Sequence, residues 1–291
     1  MDNKSEIRAL INLIDDPDES IFSQIRDKLV SFGEEVIPEL ELVWENNSFG
    51  LMFQTRIEDI IHQIQFESVK VSLDSWLKKE HQDLLEGALI VARYQFPDLD
   101  EDKVRKQIEL IRRDIWLELN PNLTAFETAR VFNHILFTVH GFTGNKKNFH
   151  APQNSYINQV LSSKKGNPLS LSVVYIVLAQ LLDVPAYGIN LPNHFVLGYA
   201  DTKKIWSENN TDENQGILFY INPFSRGTIF NKQEIEQFLK QLNVKPKAEY
   251  FQPCSHKDII KRMIINLIFA YEGQGSQEKV EEIKELLKLF K

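Results

Sequence analysis

The stretch between residues 141 and 199 constrains the fold of this chain more than any other part. Gly-Asn-Pro at 166–168 precedes a largely apolar run at 169–182, and Pro-Asn-His-Phe at 192–195 opens a strand-like segment. Because proline is favoured in the first turn of a helix, the apolar run is predicted to be a buried helix. Short alternating segments predict strands at 186–190, 194–200 and 217–222. A helix followed by short strands indicates an α+β domain.

The first segment, residues 1–82, is predicted to be entirely helical. Apolar residues such as Ile7, Leu10 and Ile14 recur at helical spacing, and the polar break at 15–18 supplies a cap for the next helix. The pattern resembles HEAT-type helical hairpins, in which paired helices stack their apolar faces. A generic helical bundle that caps the next domain is the alternative interpretation.

The rest of the chain is expected to divide into a central domain and a helical end. Residues 83–245 are predicted to form the α+β domain. Pro246 and Pro253 mark a linker, after which helices are predicted at 256–271 and 276–290. The resulting hairpin, over residues 246–291, resembles a tetratricopeptide-type unit.

Charge and cysteine content exclude several classes of function. The 41 acidic and 33 basic residues give a net charge of -8, the wrong sign for a surface that neutralises phosphates, so nucleic acid is not an expected partner. A single cysteine, Cys254, excludes an internal disulfide and a multi-cysteine metal site. Neither a secretory signal nor an apolar stretch long enough to span a bilayer is visible. We therefore expect a cytoplasmic protein with no membrane partner.

The central domain arranges three residues in the order that a thiol nucleophile site requires. A thiol is best activated at a helix N-terminus, with a histidine on a facing strand and a carboxylate or amide that orients this histidine. Here Gly166 precedes the helix start, His194 opens a strand and Asn222 ends another. The scaffold of such a site is present, but no cysteine lies at the helix start.

These motifs together resemble the transglutaminase-like superfamily, and within it the SirB-type branch, which also occurs in a vertebrate F-box protein. The similarity extends over residues 85–230. It rests on Gly-Phe-Thr-Gly-Asn at 141–145, Asn-Ser-Tyr at 154–156, Gly-Asn-Pro at 166–168, Pro-Asn-His-Phe at 192–195 and Asn-Pro-Phe at 222–224. The resemblance implies an α+β core of the papain-like, cysteine-protease type.

The resemblance places the nucleophile position at a proline. Catalytic members carry cysteine at the helix start, and counting back from the turn that ends at Pro185 puts that position at Pro168. His194 matches the superfamily histidine. Asn222 stands where aspartate is common, and an asparagine can also orient an imidazole. Ser170 is a nearby hydroxyl, but a helix turns about 100° per residue, so a catalytic Ser170 would need a shift in register.

The resemblance also implies a binding cleft beside these residues. Its predicted walls are Asn154, Tyr156, Asn167, Asn193, Phe195 and Phe224. Core packing is the alternative role for the aromatic members. No metal or cofactor is expected, because His134, His140, His150 and His194 fit no zinc signature and no phosphate-binding glycine loop occurs.

Three functions are open from the sequence. A non-catalytic or degenerate transglutaminase-like protein would act in interaction or regulation, with a protein or peptide partner, and Pro168 favours this hypothesis. A hydrolase or acyltransferase would instead use His194 and Asn222 with an unconventional nucleophile, such as Ser170 or a water molecule. In the third hypothesis the helical ends provide partner surfaces and the central domain is a scaffold.

Overall fold

A computed structural model describes residues 3–45, 50–201 and 216–291. The chain divides into two compact units, Met1–Ser75 and Trp76–Lys291. The boundary between the two units, after Ser75, lies close to the boundary predicted after residue 82. The segment 246–291, predicted as a third domain, is instead part of the second unit.

The first unit is built from helices around one apolar core. The helices are α1 (Asn3–Ile11), α2 (Glu19–Ser31), α3 (Ile37–Glu45) and α4 (Leu51–Lys78), with a 3-10 turn at Gly33–Val36. Asp18 accepts a hydrogen bond from the Ser20 N–H at 2.8 Å, which confirms the predicted cap before α2. The buried core consists of Ile7, Ile11, Ile14, Phe22, Ile25, Leu29, Val36, Leu40, Phe53, Ile57, Ile60 and Ile64.

A buried arginine on α4 holds the connection between α1 and α2. Arg56 Nη1 donates to the carbonyl oxygens of Ile14 and Asp16, each at 2.7 Å. Its Nη2 donates to Glu19 Oε1 at 2.6 Å, and the guanidinium lies 4.0 Å from the ring centroid of Phe22. Carbonyl groups beyond the end of a helix have no helical partner, so Arg56 satisfies groups that would otherwise be buried unpaired.

The second unit mixes helices with strands. Its helices are α5 (Leu84–Arg93), α6 (Glu101–Glu118), α7 (Ala125–Asn133), α8 (Ile157–Ser163), α9 (Pro168–Gln180), α10 (Lys232–Gln241), α11 (His256–Gln274) and α12 (Gln277–Leu287), and a π-helical segment, His134–Val139, follows α7. Its strands are β1 (Thr143–Gly144), β2 (Lys165–Gly166), β3 (Ala186–Leu191), β4 (His194–Ala200), β5 (Ile217–Asn222) and β6 (Thr228–Phe230). None of the helices in the described parts of the chain is both long and apolar enough to cross a membrane.

Helix α9 lies at the centre of this unit. Every residue from Pro168 to Ala179 is buried, and the helix packs against β3 and β4. The sheet is antiparallel with strand order β3, β4, β5, β6, while β1 and β2 form a separate parallel pair. The predicted buried helix and the predicted strands are thus confirmed, and so is the α+β class.

Hydroxyl groups join the C-terminal hairpin to the centre of the second unit. Tyr271 of α11 lies 2.9 Å from the hydroxyl of Tyr156 and donates to Gln95 Oε1 at 2.8 Å. Tyr94 of α5 donates to Glu282 Oε2 of α12 at 2.7 Å. These buried contacts explain why the hairpin does not form a unit of its own.

Replacing Arg56 with methionine should destabilise the first unit by about 2–4 kcal/mol, because buried carbonyl groups lose their donors. Hydrogen exchange in the full chain measures this effect locally, and we expect faster exchange in α1 and α2 but not in α9. Arg8→Met is the matched control, because Arg8 is exposed and its ion pair with Glu39 should contribute little. Equal exchange in the two variants would contradict the assigned role of Arg56.

Candidate functional site

The site begins at the N-terminus of α9, where two side chains of the first turn bond two of its backbone N–H groups. Asn167 Oδ1 accepts the Ser170 N–H at 2.9 Å, and Ser170 Oγ accepts the Asn167 N–H at 3.0 Å, which forms a capping box. Asn167 Nδ2 also donates to Ser155 Oγ at 3.0 Å. Pro168 follows at a position where its missing N–H is no loss. Gly166 is required before this turn, because a Cβ there would lie 2.6 Å from Ser170 Oγ.

His194 is the first residue of β4 and comes directly after the two-residue turn from β3. Asn193 in this turn has a φ of +56°, a left-handed conformation that asparagine tolerates better than most residues. Strand β4 pairs with β5 so that Leu197 lies opposite Ile221. Continuing this register places His194 and Asn222 on the same face of the sheet as diagonal neighbours.

The amide of Asn222 determines which nitrogen of His194 carries the proton. Asn222 Oδ1 accepts the Ser225 N–H at 3.3 Å, so Nδ2 is the atom that lies 3.3 Å from His194 Nε2. Because an amide NH2 group can only donate, Nε2 must accept, and the neutral ring then carries its proton on Nδ1. In the described part of the chain, this Nδ1–H has no hydrogen-bond partner.

The surroundings of His194 keep its ring uncharged. Burial lowers the pKa of His194, because an imidazolium there would lose hydration, and the positive charge of Arg262 lowers this pKa further. The ring centroid of Phe238 lies 5.9 Å from that of the imidazole. At neutral pH the site therefore contains a neutral histidine.

A cleft of about 460 Å³ opens beside the start of α9, the turn between β3 and β4, and α11. Its lining comprises Phe149, His150, Ala151, Ser155, Asn167, Pro168, Leu169, Asn193, His194, Phe195, Arg262, Asn266, Phe269 and Ala270. None of these described residues carries a carboxylate. The volume is in the range of cavities that bind small molecules, and it would admit one or two side chains of a peptide.

The cleft brings together half of the residues predicted for the site. Asn167, Pro168, Asn193, His194 and Phe195 all line it. Asn222 is not part of the lining, and its side chain contacts the far side of the His194 ring. Pro168 and His194 therefore both line this cleft, and their assignment to a nucleophile position and a superfamily histidine stays a prediction.

Three predicted cleft residues do not form its surface, and two of them support the wall from behind. Asn154 Nδ2 donates to the carbonyl oxygen of Phe149 at 2.9 Å. The ring of Phe224 meets that of Phe149 edge-on, with 5.6 Å between the centroids. Tyr156 is buried and bonded to Tyr271, so its role is the core packing that was the alternative interpretation.

The hydroxyl groups near the helix start are turned into the helix. Ser170 is only 1% exposed, and its Oγ bonds both the N–H of Asn167 at 3.0 Å and the carbonyl oxygen of Asn167 at 3.3 Å. Ser172 Oγ donates to the carbonyl oxygen of Pro168 at 2.7 Å. Neither serine lines the cleft, whereas Pro168 does, and proline has no nucleophilic atom.

Helix α11 contributes a wall of the cleft that no sequence motif predicts. Arg262, Asn266 and Phe269 line the cleft and follow one another at helical spacing. Polar residues occur on more than one face of α11, so the sequence pattern of the helix does not single out these three residues. Arg262 is half-buried, and the hydrogen bond that it makes runs from Nη1 to Asn190 Oδ1 at 3.5 Å.

The thiol and the other histidines do not supply a second reactive centre. Burial and the charge of Asp258 raise the pKa of Cys254 to about 12, so its thiol stays protonated. His140 pairs with Asp114 at 3.0 Å, and His256 bonds the carbonyl oxygen of Gln82 at 2.6 Å. Within residues 3–45, 50–201 and 216–291, no three His, Cys, Asp or Glu side chains are grouped so that they could hold a metal ion.

Comparison with known proteins shows the same family along most of the second unit. Residues 102–265 match the family model described as transglutaminase-like superfamily. The chain is similar to a UPF0162 protein of Xylella fastidiosa strain 9a5c, with 28% identity over 206 residues, or 67% of each chain. It is also similar to mouse F-box only protein 21, with 24% identity over 287 residues.

The matches differ in how much of each relative they cover. The alignment with the F-box protein includes 89% of this chain but 44% of that protein. A UPF0162 protein of Pseudomonas aeruginosa is 29% identical over 199 residues, or 68% of each chain. The chain therefore spans about two thirds of its bacterial relatives and under half of the F-box protein. No solved structure matches. These findings confirm the predicted resemblance to the SirB-type branch.

The pKa of His194 should lie below the ordinary value of 6.5, and Arg262→Met should raise it. As the pH falls below about 6.5, the unfolded chain takes up a proton at this residue before the folded chain does. The free energy of unfolding therefore decreases as the pH falls from about 6.5 to the pKa of His194 in the folded chain, and His194 does not change it above pH 6.5. NMR titration of the imidazole Cε1–H measures the pKa, and urea unfolding of His194→Gln measures the lost pH dependence. An unshifted His194 in the wild type would contradict the burial argument.

Proposed function

We propose that this chain, which belongs to the transglutaminase-like superfamily, is a non-catalytic member whose cleft binds a segment of a protein or peptide partner. Pro168 is the observation that carries the proposal. It lies at the position where the resemblance puts the nucleophilic cysteine, and it lines the cleft together with His194. A proline side chain cannot attack a carbonyl group or form a covalent intermediate.

The direction of the hydrogen bond at His194 supports the same proposal. A general base needs an unprotonated nitrogen that faces the reacting group. Here Asn222 donates to Nε2, so the nitrogen that remains for the cleft, Nδ1, already carries a proton. For His194 to act as a base, the amide of Asn222 would have to turn over and give up its bond to the Ser225 N–H.

The alternative is a hydrolase or acyltransferase that uses His194 and Asn222 with Ser170 or a water molecule. The position of Ser170 disfavours the first version, because its hydroxyl is buried in the capping box. Activation of a water molecule would meet the same obstacle at Nδ1. The geometry therefore favours binding over hydrolysis.

Two features support a protein or peptide as the occupant of the cleft. Large apolar side chains at its edge remain exposed, with Phe149 at 40% and Phe269 at 62%, and exposed aromatic groups are common in protein contacts. In addition, the relative that matches 89% of this chain is named an F-box protein, which is consistent with a role in protein interaction.

A direct assay of the purified full chain tests whether the domain is non-catalytic. Suitable substrates are peptidyl esters, peptidyl amides, and glutamine-containing peptides with an amine acceptor, and His194→Ala provides the background rate. We expect no turnover by the wild type above that background. Turnover that His194→Ala loses would overturn the proposal. If a Ser170→Ala variant also loses this turnover, and urea unfolding shows that the variant is folded, the reaction is assigned to the serine.

A Pro168→Cys variant tests the assignment of the nucleophile position. The new thiol would lie at the start of α9 on the cleft, so iodoacetamide should modify it much faster than Cys254, whose pKa is raised by burial. Mass spectrometry of the labelled peptides separates the two sites. Equal protection of both thiols would show that position 168 does not face the cleft.

We also propose that the first unit, which the sequence predicts to be HEAT-like, provides a second partner surface. Exposed apolar side chains on both sides of the connection between α3 and α4 favour this, namely Leu42, Trp44, Leu51 and Met52. A double variant, Leu51→Glu with Met52→Glu, should keep its urea midpoint because both side chains are exposed. It should weaken binding of any partner that contacts this unit. Partner affinities that are unchanged in the double variant would contradict this role.

A further inference from the structure

The cleft contains a cation that has no counterion. Arg262 is the one permanently charged residue in the described lining, and it forms no ion pair with any residue that the structure describes. Its hydrogen bond to Asn190 is long, at 3.5 Å, and Asn190 is neutral. Burial lowers the pKa of Arg262. Asp258, one helical turn earlier, and Glu249 line a neighbouring pocket together with Arg262, but neither forms an ion pair with it in the described part of the chain. A partly buried charge gains from a partner of opposite sign, and this one has none.

Two further donors on the same cleft have no acceptor. His194 presents Nδ1–H, which follows from the direction of its bond with Asn222. Ser155 is 3% exposed and accepts from Asn167 Nδ2, which leaves its own hydroxyl proton unpaired among the described residues. Arg262, His194 and Ser155 thus line one cavity whose described lining contains no acid.

The donors are suited to a carboxylate more than to a phosphate. A guanidinium fits the two oxygens of a carboxylate through parallel hydrogen bonds. Phosphate at a helix start draws on several free backbone N–H groups, and here the capping box bonds those of Asn167 and Ser170 and Pro168 has none, which leaves the single N–H of Leu169. The remaining lining is apolar, with Phe195, Leu169 and Phe269 beside the donors.

We infer that this cleft is a receptor for a carboxylate joined to an apolar group, with Arg262, His194 and Ser155 as the donors. The inference rests on the proposed binding function and names the chemistry of the bound segment. Such a carboxylate is present at the C-terminus of a chain that ends in an apolar residue, at an acidic side chain next to an apolar one, and in small arylalkanoic acids. The shared chemistry is the carboxylate, and the source is distinguished by experiment.

The test is an NMR titration of the full chain, observed at the His194 Cε1–H. The probes are the acetylated tetrapeptide Ala-Ala-Ala-Phe as the free acid, the same peptide as its C-terminal amide, acetylated Ala-Glu-Phe-Ala amide, and 3-phenylpropionate. Loss of one charge-assisted pair typically weakens binding about tenfold or more. We therefore expect the tetrapeptide amide to bind at least about tenfold more weakly than the acid.

Three variants locate the effect. Arg262→Met should abolish the preference for the acid, and Arg262→Lys should restore it only in part, because lysine keeps the charge but not the planar fork. Lys261→Met is the matched control. Lys261 is the neighbouring cation on α11 but does not line the cleft, so its removal should leave the preference unchanged.

Each outcome decides between the possibilities. If the tetrapeptide acid binds most tightly, the ligand is the C-terminus of a chain. If the glutamate peptide binds as tightly as this acid, the ligand is an acidic side chain. If 3-phenylpropionate binds as tightly as this acid, the ligand is a small acid. All three support the carboxylate receptor. Equal binding of acid and amide, or a preference that survives Arg262→Met, overturns it while leaving peptide binding intact. No binding of any probe at about 10 mM also overturns it. Failure of the proposed function would appear separately, as turnover in the substrate assay.

Discussion

The start of α9 determines what this site can do, because the first N–H groups of a helix have no partner within it and here most of them are bonded in the cap or absent. Asn167 and Ser170 bond each other's N–H groups and Pro168 has none, so the Leu169 N–H is the one that remains. The same groups, together with the helix dipole, would stabilise a thiolate at this position. A turn that uses its donors for its own cap stabilises the central helix and leaves few for a nucleophile. Stability of α9 and activation of a nucleophile therefore compete for the same atoms.

The pair of His194 and Asn222 shows that the direction of a hydrogen bond matters as much as its length. An aspartate at position 222, as is common in the superfamily, would accept a hydrogen bond from Nε2–H and leave Nδ1 unprotonated, free to act as a base. The amide donates instead, since its oxygen is held by the Ser225 N–H. With asparagine at position 222, the ring therefore presents Nδ1–H as a donor, whereas with aspartate it would present Nδ1 as a base. The strands that position the ring are the same in both cases.

The sequence predicts the parts of this structure whose signals are local. The strands and the buried helix follow from short-range patterns, and the motifs place Pro168 and His194 on one cleft. Tyr156 belongs to a matching motif, but a motif does not say which side of a wall its side chains face. The proton position on His194 depends on a backbone group three residues after Asn222, which the family pattern does not specify. Arg262 could not be assigned to the cleft, because α11 reaches it only through the tertiary fold.

Helix α11 connects the packing of the second unit to the charge of its cleft. Tyr271 lies on one face of this helix and bonds to Tyr156 in the core. Arg262 lies on another face and lines the cleft. Because each residue of a helix is rotated by about 100° from the last, fixing Tyr271 also fixes the direction in which Arg262 projects. Packing of α11 thus fixes the point at which the Arg262 side chain leaves the backbone before any ligand arrives. The torsions of the side chain itself are the part that a bound carboxylate would have to order, and that ordering is the conformational cost of binding at this residue.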